Sequence, residues 1–428
     1  MRAGGTADLP LHGGRVPEWL AQRMARMARL IVEAIMLHEG REAVLERFSH
    51  PFWFQALGGL IGMDWHSSGI TTTTLAALKR GLRGAETELG LWPCGGRGKQ
   101  SRRTPEELRK AGEASGFDAE GWVRASRLVA KVDNGALQDG FQIYLHGFIA
   151  AADGRWVVVQ QGISNERGTA RRYHWSSHEL KSFVDAPHVG ISCGSGPEPG
   201  AKIINLADPG SDPARELIRE LVQEGPEAFL EGVRAARRAA PRLFMPARHE
   251  VRPRDIVPER LAAAFEVGAH ARDFPELLLT PGLGPRTLGS LALIAETIHG
   301  RPARFRDPAR FSFAHGGKDG HPFPVATKVY DETLRILREA VQKAKMGRDE
   351  QMSALQRIDE QARRFEAALA KVEVGDHTVE WHLAKERRMS HAHGGRTAHG
   401  WAPPLDRKPR ATSPPDLQLP LPLKIPKS

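Results

Sequence analysis

Four side chains suited to hydrolytic chemistry lie close together in the glycine-rich segment AHGGKDGHPFP. They are His315, Lys318, Asp319 and His321. Two imidazoles and a carboxylate are ligands for a divalent metal such as Mg²⁺ or Mn²⁺, and a bound metal activates water. We therefore predict a metal site at His315, Asp319 and His321, with Lys318 stabilising the charge that develops on an attacked phosphodiester. A structured loop with two surface histidines is the alternative interpretation.

A second pair of reactive side chains occurs in the segment DWHSSG. Asp64 and His66 lie there between two apolar helical patterns, so a loop is expected. If folding brings this loop beside the later histidine cluster, the two together form a hydrolytic site. The enzyme class that these residues favour is a metal-dependent nuclease acting on damaged or structured DNA.

The stretch TPGLGPRTLGSLALIAETIHG places Gly282 and Gly284 between two helical patterns. This order resembles the helix-hairpin-helix motif of DNA repair and replication proteins. Glycine permits a left-handed backbone and a close approach, and the N–H groups that open a helix attract phosphate. Arg286 would add a charge and Thr287 a hydroxyl group, so the sequence predicts DNA binding without sequence preference. The alternative is an ordinary helical hairpin whose glycines serve only its turn.

A glycosylase is the second enzymatic hypothesis. The segment from Gly300 and Pro302 to Asp307 resembles the G-x-P-x-x-x-x-D arrangement of helix-hairpin-helix DNA glycosylases, which implies a catalytic role for Asp307. Its carboxylate would stabilise positive charge on the sugar of a flipped nucleotide. Arg286 stands where lyase-competent members of that family have lysine, which argues against Schiff-base chemistry. A third hypothesis is an adaptor that binds DNA without catalysis.

The strongest β pattern is FQIYLHGFIAAADGRWVVVQQGI, in which two β-rich runs flank Asp153-Gly154. A two-residue turn at this dipeptide predicts an antiparallel hairpin in which His146 pairs with Gln161 and Phe148 pairs with Val159. Tyr144, His146 and Gln161 then form a polar cluster on one face.

The following segment, SNERGTARRYHW, would bring basic and aromatic side chains to the mouth of this polar cluster. Arg171 and Arg172 are the candidate DNA-binding residues there, with Tyr173 and His174 beside them. A half-solvated hairpin with a basic loop is the alternative.

The C-terminal segment contains a possible docking peptide. Gln418-Leu419-Pro420-Leu421-Pro422-Leu423 resembles the peptide by which bacterial replication and repair proteins bind the sliding clamp. In such a peptide Leu419, Leu421 and Leu423 would enter an apolar pocket while Gln418 fixes the orientation. The alternative is a Leu/Pro-rich end of low complexity.

Residues 8 to about 335 resemble the prokaryotic family called domain of unknown function 763. The segments that carry the resemblance are LHGGRVPEWL, HPFWFQALG, DWHSSG, VVVQQGI, ARRYHW and FAHGGKDGHPFPV. The resemblance implies no established activity, so the functional hypotheses rest on the residues.

Composition sets limits on these hypotheses. The 428 residues include 61 Lys and Arg against 51 Asp and Glu, and the net charge of +10 with a pI near 9.8 favours an anionic partner such as nucleic acid. Two distant cysteines, Cys94 and Cys193, support neither a disulfide framework nor a zinc site. With no signal peptide and no long apolar run, we expect no membrane partner and a cytoplasmic location.

The elements that must position these residues indicate a mainly helical α+β protein. It would contain a small antiparallel β-hairpin or sheet, a helix-hairpin-helix and a disordered C-terminal tail. The predicted regions are a helical region at 1–115, a small α/β region at 116–205, a helical region with the glycine turn and the His/Asp loop at 206–335, a helical extension at 336–374, and a basic, Pro-rich tail at 375–428.

Overall fold

The computed structural model describes most of the chain between residues 16 and 370. The described ranges are 9–10, 16–63, 68–166, 168–192, 202–239, 258–309, 327–343, 347–370, 396–397 and 400–401. Several predicted functional residues lie outside these ranges: Asp64, His66, His315, Lys318, Asp319, His321, Gln418, Leu419, Leu421 and Leu423.

Helices make up most of the described chain, as the sequence predicts. They are α1 (Glu18–Ser49), α2 (Pro51–Leu60), α3 (Gly69–Gly81), α4 (Glu86–Leu89), α5 (Thr104–Ser115), α6 (Glu120–Lys131), α7 (Asp212–Glu224), α8 (Pro226–Ala239), α9 (Pro258–Gly268), α10 (Phe274–Leu279), α11 (Pro285–Thr297), α12 (Thr327–Lys343) and α13 (Arg348–Ala370). The break between α12 and α13 falls where the apolar periodicity is interrupted, near Gly347.

The strands form antiparallel sheets. They are β1 (Leu9–Pro10), β2 (Leu91–Arg97), β3 (Leu137–Gln138), β4 (Gln142–Ala151), β5 (Trp156–Ser164), β6 (Thr169–Ser176), β7 (Gly190–Ser192), β8 (Lys202–Asn205), β9 (Arg304–Arg306), β10 (Arg396–Thr397) and β11 (Gly400–Trp401). The main sheet has the order β1-β6-β5-β4-β2 with β7 also paired to β6, while β3-β8-β9 and β10-β11 form small sheets. The chain therefore has the predicted α+β fold with a small antiparallel sheet.

Helices cover both faces of the main sheet. On one face Leu145, Ile149 and Val157 share a core with α1 to α3 and with the distant helices α12 and α13. On the opposite face Phe148 and Val158 share a second core with α5 to α11. A half-solvated hairpin is thus excluded, since both the odd and the even positions of its strands are buried.

The turn of the hairpin differs from the predicted two-residue turn. Ala151 and Arg155 pair across the turn, with the Ala151 N–H donating to the Arg155 carbonyl at 2.9 Å, so the loop has three residues. Gly154 ends this loop with φ +86°, the left-handed position that such three-residue turns require. The extra residue moves the register by one.

The shifted register separates two residues that were expected to share a site. His146 pairs with Gln160 rather than Gln161, and Phe148 pairs with Val158 rather than Val159. Because side chains alternate along a strand, His146 and Gln161 point to opposite faces of the sheet. Tyr144 lies at a bulge between Ile143 and Leu145. The predicted cluster of Tyr144, His146 and Gln161 is therefore wrong.

Replacing Gly154 with alanine tests this turn. We expect a loss in the free energy of unfolding of about 1–3 kcal/mol, because alanine disfavours positive φ. A Cβ at Gly154 would also lie 2.7 Å from the ring of Phe117. Chemical denaturation measures the loss.

Gly168→Ala is the matched control. Gly168 also has a positive φ, +64°, but a Cβ there would have no heavy atom within 4 Å in the part of the chain that the structure describes. Gly154→Ala should be the more destabilising change. An equal or smaller loss than that of Gly168→Ala would contradict the described packing of the turn.

Candidate nucleic-acid interface

The glycine-rich turn joins two helices, as the sequence predicts. Asp273 caps α10, its Oδ1 accepting from the backbone N–H of Glu276 at 2.7 Å. The chain then turns through Thr280 to Gly284, and Pro285 occupies the first position of α11. Proline is favoured there because the backbone N–H at the first helical position has no partner within the helix, so its absence in proline costs no hydrogen bond. The start of α11 is thus fixed by local sequence.

The two glycines of the turn have different structural roles. Gly282 has φ +84°, a conformation that side chains disfavour, so the turn itself requires glycine. Gly284 has φ −103° and ψ 175°, an extended conformation open to any residue. A Cβ at Gly284 would meet no heavy atom within 4 Å. Neither backbone strain nor crowding among the described residues explains glycine at position 284.

The turn is anchored to the protein by its carbonyl groups. The Nζ of Lys131 at the end of α6 donates to the Leu283 carbonyl at 3.1 Å, and the Nε2 of Gln138 donates to the Pro285 carbonyl at 2.6 Å. Burial lowers the pKa of Lys131. Leu283 is itself buried, whereas Pro281 and Gly282 are exposed. The exposed tip therefore stands on a fixed base.

The first turn of α11 presents the two predicted polar residues. Arg286 is exposed and Thr287 is half-buried. A 13-residue helix carries partial positive charge at its N-terminus, where the first backbone N–H groups have no partner within the helix. Gly282, Gly284, Arg286 and Thr287 are therefore brought together at one exposed site.

Arg171 lies inside the protein rather than at this surface. It is 4% exposed, and its guanidinium donates to Asp139 at 2.8 Å and to both oxygens of Asp307 at 3.0 and 2.7 Å. Tyr173 donates its hydroxyl hydrogen to Asp139 at 2.7 Å. Burial raises the pKa of Asp139, and Arg171 opposes that shift. The prediction that Arg171 contacts DNA conflicts with this burial.

Arg172 is also buried, on the opposite face of the sheet. Its side chain is fully enclosed and donates to the Nε2 of His174 at 2.8 Å, to the Oε1 of Gln55 at 2.8 Å and to the Pro51 carbonyl at 3.0 Å. Burial lowers the pKa of Arg172 to about 9. The DNA-binding role predicted for Arg172 is likewise incompatible with its position, since phosphate cannot reach an enclosed guanidinium.

Asp307, the predicted glycosylase carboxylate, belongs to the same buried group as Arg171. It is 6% exposed, and its Oδ1 also accepts from the backbone N–H of Ala309 at 3.0 Å. Both oxygens are thus occupied by internal donors. Asp307 therefore forms a structural ion pair with Arg171, and its carboxylate is not exposed to contact the sugar of a nucleotide.

A separate polar cluster surrounds Asp133 on the face of the main sheet that also carries Arg171. Asp133 accepts from the Nε2 of Gln160 at 2.5 Å, from the indole Nε1 of Trp175 at 2.9 Å and from the Nε2 of His188 at 2.5 Å. The Oε1 of Gln160 is 2.7 Å from the Nδ1 of His146. Every member is buried, so these polar groups satisfy one another's hydrogen bonds inside the core.

The described residues contain neither a group of metal-binding side chains nor a helix able to span a membrane. Among those residues, no three His, Cys, Asp or Glu side chains form a group able to hold a metal ion. The predicted metal ligands His315, Asp319 and His321 fall outside the ranges described. No helix among the placed residues has the length and apolarity needed to cross a membrane.

Sequence patterns had not identified Lys131 or Gln138 as supports of the turn. Each lies about 150 positions from its partner, with separations of 152 and 147 residues. The segment EGWVRASRLVAK shows basic residues at helical spacing. Nothing local indicates that α6 lies beside the turn.

Two buried histidines, His146 and His174, and the half-buried His50 make stability dependent on pH. Burial lowers the pKa of His50 to about 4, lowers that of His146, and lowers that of His174 well below 6.5. The unfolded chain takes up these protons near pH 6.5 while the folded chain does not. Their contribution to stability is present above pH 6.5 and is lost as the pH falls toward 4.

His174→Gln tests this linkage. Between pH 6.5 and 4.5 the free energy of unfolding should fall less steeply in the variant than in the wild type, by about 1.4 kcal/mol per pH unit. His38→Gln is the control, because His38 is exposed and should leave the slope unchanged. Denaturant titrations at each pH measure the slopes. Equal slopes for His174→Gln and wild type would contradict the buried neutral imidazole.

Comparison with known proteins identifies the family of the chain. No curated protein and no solved structure matches it. A family model described as "Protein of unknown function (DUF763)" matches residues 5–325. Since this match covers most of the 428 residues, the chain belongs to the DUF763 family.

Proposed function

We propose that this protein binds DNA through the exposed turn at residues 280–287 and acts in DNA repair. The observation that carries the proposal is the open space at Gly284. Gly284 leaves this space directly before the N-terminus of α11, although neither its backbone nor its described neighbours exclude a side chain. A phosphate group that approaches the helix N-terminus needs that space.

Charge favours the same ligand. Arg286 is exposed in the first turn of α11, and the whole chain carries a net charge of +10. A phosphate oxygen at the helix start can accept from backbone N–H groups and from the guanidinium together. Such contacts involve the DNA backbone alone, so the binding is independent of base sequence.

The support of the turn also favours binding. Lys131 and Gln138 each donate a hydrogen bond to a carbonyl group of the turn, at 3.1 and 2.6 Å. Fixed donors lose little freedom when a ligand binds, so less of the interaction free energy is lost to ordering.

Catalysis remains a separate proposal. The metal-dependent nuclease hypothesis rests on His315, Lys318, Asp319 and His321 with Asp64 and His66, and on Mg²⁺ or Mn²⁺ as the cofactor. The glycosylase alternative is less favoured, because Asp307 is engaged by Arg171 within the core. A nuclease is therefore the enzymatic activity that we propose to test first.

The sliding clamp is a further proposed partner, through Gln418, Leu419, Leu421 and Leu423. Docking there would tether the protein to replicated DNA and raise its local concentration. A non-enzymatic adaptor would need only this tail and the DNA-binding turn.

Gly284→Leu tests DNA binding directly. The extended backbone tolerates leucine, but its side chain would fill the space before α11. We expect the affinity for a duplex of about 20 base pairs to fall roughly tenfold or more, equally for unrelated sequences. Fluorescence anisotropy at fixed salt measures the affinity.

Gly347→Leu is the matched control, because Gly347 is exposed and, among the described residues, also has no heavy atom within 4 Å of a Cβ. It should bind DNA like the wild type. Unchanged affinity in a folded Gly284→Leu variant would remove the turn from the proposed binding site.

Asp319→Ala tests the nuclease hypothesis. Loss of a metal ligand should abolish Mg²⁺- or Mn²⁺-stimulated strand cleavage while DNA affinity is retained. The assay uses damaged and branched DNA and scores strand breaks and released bases separately. Cleavage at the wild-type rate would rule out this site, and release of free bases would favour the glycosylase instead.

A further inference from the structure

We propose that α6 is a second DNA-contacting element, in which Arg124 and Arg127 extend the phosphate contact from the turn along the protein surface. This inference rests on the proposed function, since it assumes that the turn binds a duplex. It assigns a binding role to two residues that no sequence motif identifies.

The placement of α6 beside the turn follows from contacts at two points. At its C-terminal end, Lys131 donates to the carbonyl of Leu283 at 3.1 Å. Seven residues earlier, Arg124 lies near Glu276 of α10. Arg272 lowers the pKa of Glu276 through a hydrogen bond, and the charge of Arg124 lowers it further.

These two contacts place α6 beside α10 and the turn. Arg124 lies near Glu276 of α10, Lys131 contacts Leu283 in the turn, and α6 packs against α10. Arg127 lies between the two points of contact. The basic positions of α6 and the exposed tip of the turn therefore border the same region.

The solvent face of α6 is basic. Arg124 and Arg127 are exposed, whereas the residues between them, Ala125 and Ser126, are buried. Within the part of the chain that the structure describes, neither arginine has an acidic partner within 4.0 Å. The charge of Arg124 lowers the pKa of Glu276 and that of Arg127 lowers the pKa of Glu120, but both guanidinium groups are exposed and can also contact an external phosphate.

The acidic residues nearby are already paired. Glu120 at the start of α6 accepts from Arg109 at 2.6 Å, and Glu276 accepts from the Nε of Arg272 at 3.1 Å. Their negative charge is therefore partly compensated by other arginines. The balance of charge on the exposed surface of α6 and α10 therefore favours an anionic partner.

The dimensions of the helix suit a DNA strand. Residues 124 to 131 span about 10 Å at a rise of roughly 1.5 Å per residue. Phosphates on one strand of B-DNA are spaced by about 3.4 Å along the axis, so this length corresponds to roughly three phosphates. A duplex seated on the turn can therefore reach Arg127 and Arg124 on α6.

The double variant Arg124→Gln with Arg127→Gln tests the proposal. Log affinity falls linearly with log salt, with a slope of about −0.9 for each phosphate neutralised. Loss of two contacts should therefore reduce the magnitude of the slope by roughly two, and should weaken binding equally for unrelated sequences. Salt titrations of duplex binding by the full chain measure both effects.

The matched control is the double variant Arg335→Gln with Arg338→Gln. These arginines have the same spacing on α12, are exposed, and pair with Glu339 and Asp359. Exposed ion pairs contribute little to stability, so the control should fold normally. It removes the same charge at a helix that packs against α1 and α2.

Three outcomes separate this inference from the proposed function. A reduced slope in the α6 variant with an unchanged slope in the α12 control supports the inference. An unchanged slope in the α6 variant, while Gly284→Leu weakens binding as expected, overturns the inference and leaves the proposed function standing. Absence of duplex binding by the wild-type protein overturns both.

Discussion

The buried ion pairs of Arg171 are the interaction on which the rest of the structure depends. One guanidinium, from the third residue of β6, joins Asp139, which follows β3, to Asp307, which follows β9. Removing one partner of a buried pair leaves an uncompensated charge, at a cost of about 3–5 kcal/mol. Three segments far apart in sequence are thereby held together. The same segment that carries Asp139 also carries Gln138, which supports the start of α11.

The position of the glycine turn is therefore connected to the main sheet. Gln138 contacts Pro285, Lys131 contacts Leu283, and both supporting residues flank the segment that contains Asp133. Asp133 is in turn fixed by Gln160 and Trp175 of the sheet. A surface turn that is tied to the core in this way keeps its donors in place before a ligand arrives, which is the condition for binding without a large loss of entropy.

The sequence predicted those features that depend on neighbouring residues. The α+β class, the strands on either side of Asp153, the turn between α10 and α11 and the break before α13 all follow from local periodicity and from glycine or proline. The hairpin register was missed by one residue because Asp153-Gly154 suits both two-residue and three-residue turns. That single shift was enough to move Gln161 away from His146.

Features that depend on tertiary contacts were not predictable from the pattern. A basic pair such as Arg171-Arg172 is usually solvated, and only the helices covering both faces of the sheet show that it is buried. Asp307 and Arg171 are 136 residues apart, so their pairing has no local signature. The contact of Lys131 with Leu283, 152 residues away, likewise depends on the tertiary placement of α6 beside the turn.

The most direct test of the account is hydrogen exchange of the full-length protein with and without duplex DNA. Backbone amides in the segment 282–288 and in α6 near Arg124 to Lys131 should exchange more slowly when DNA is bound, because the account places DNA over both segments. Exchange in α12 should be unaffected. Unchanged exchange in the turn and in α6, with slower exchange confined to other parts of the chain, would contradict the account.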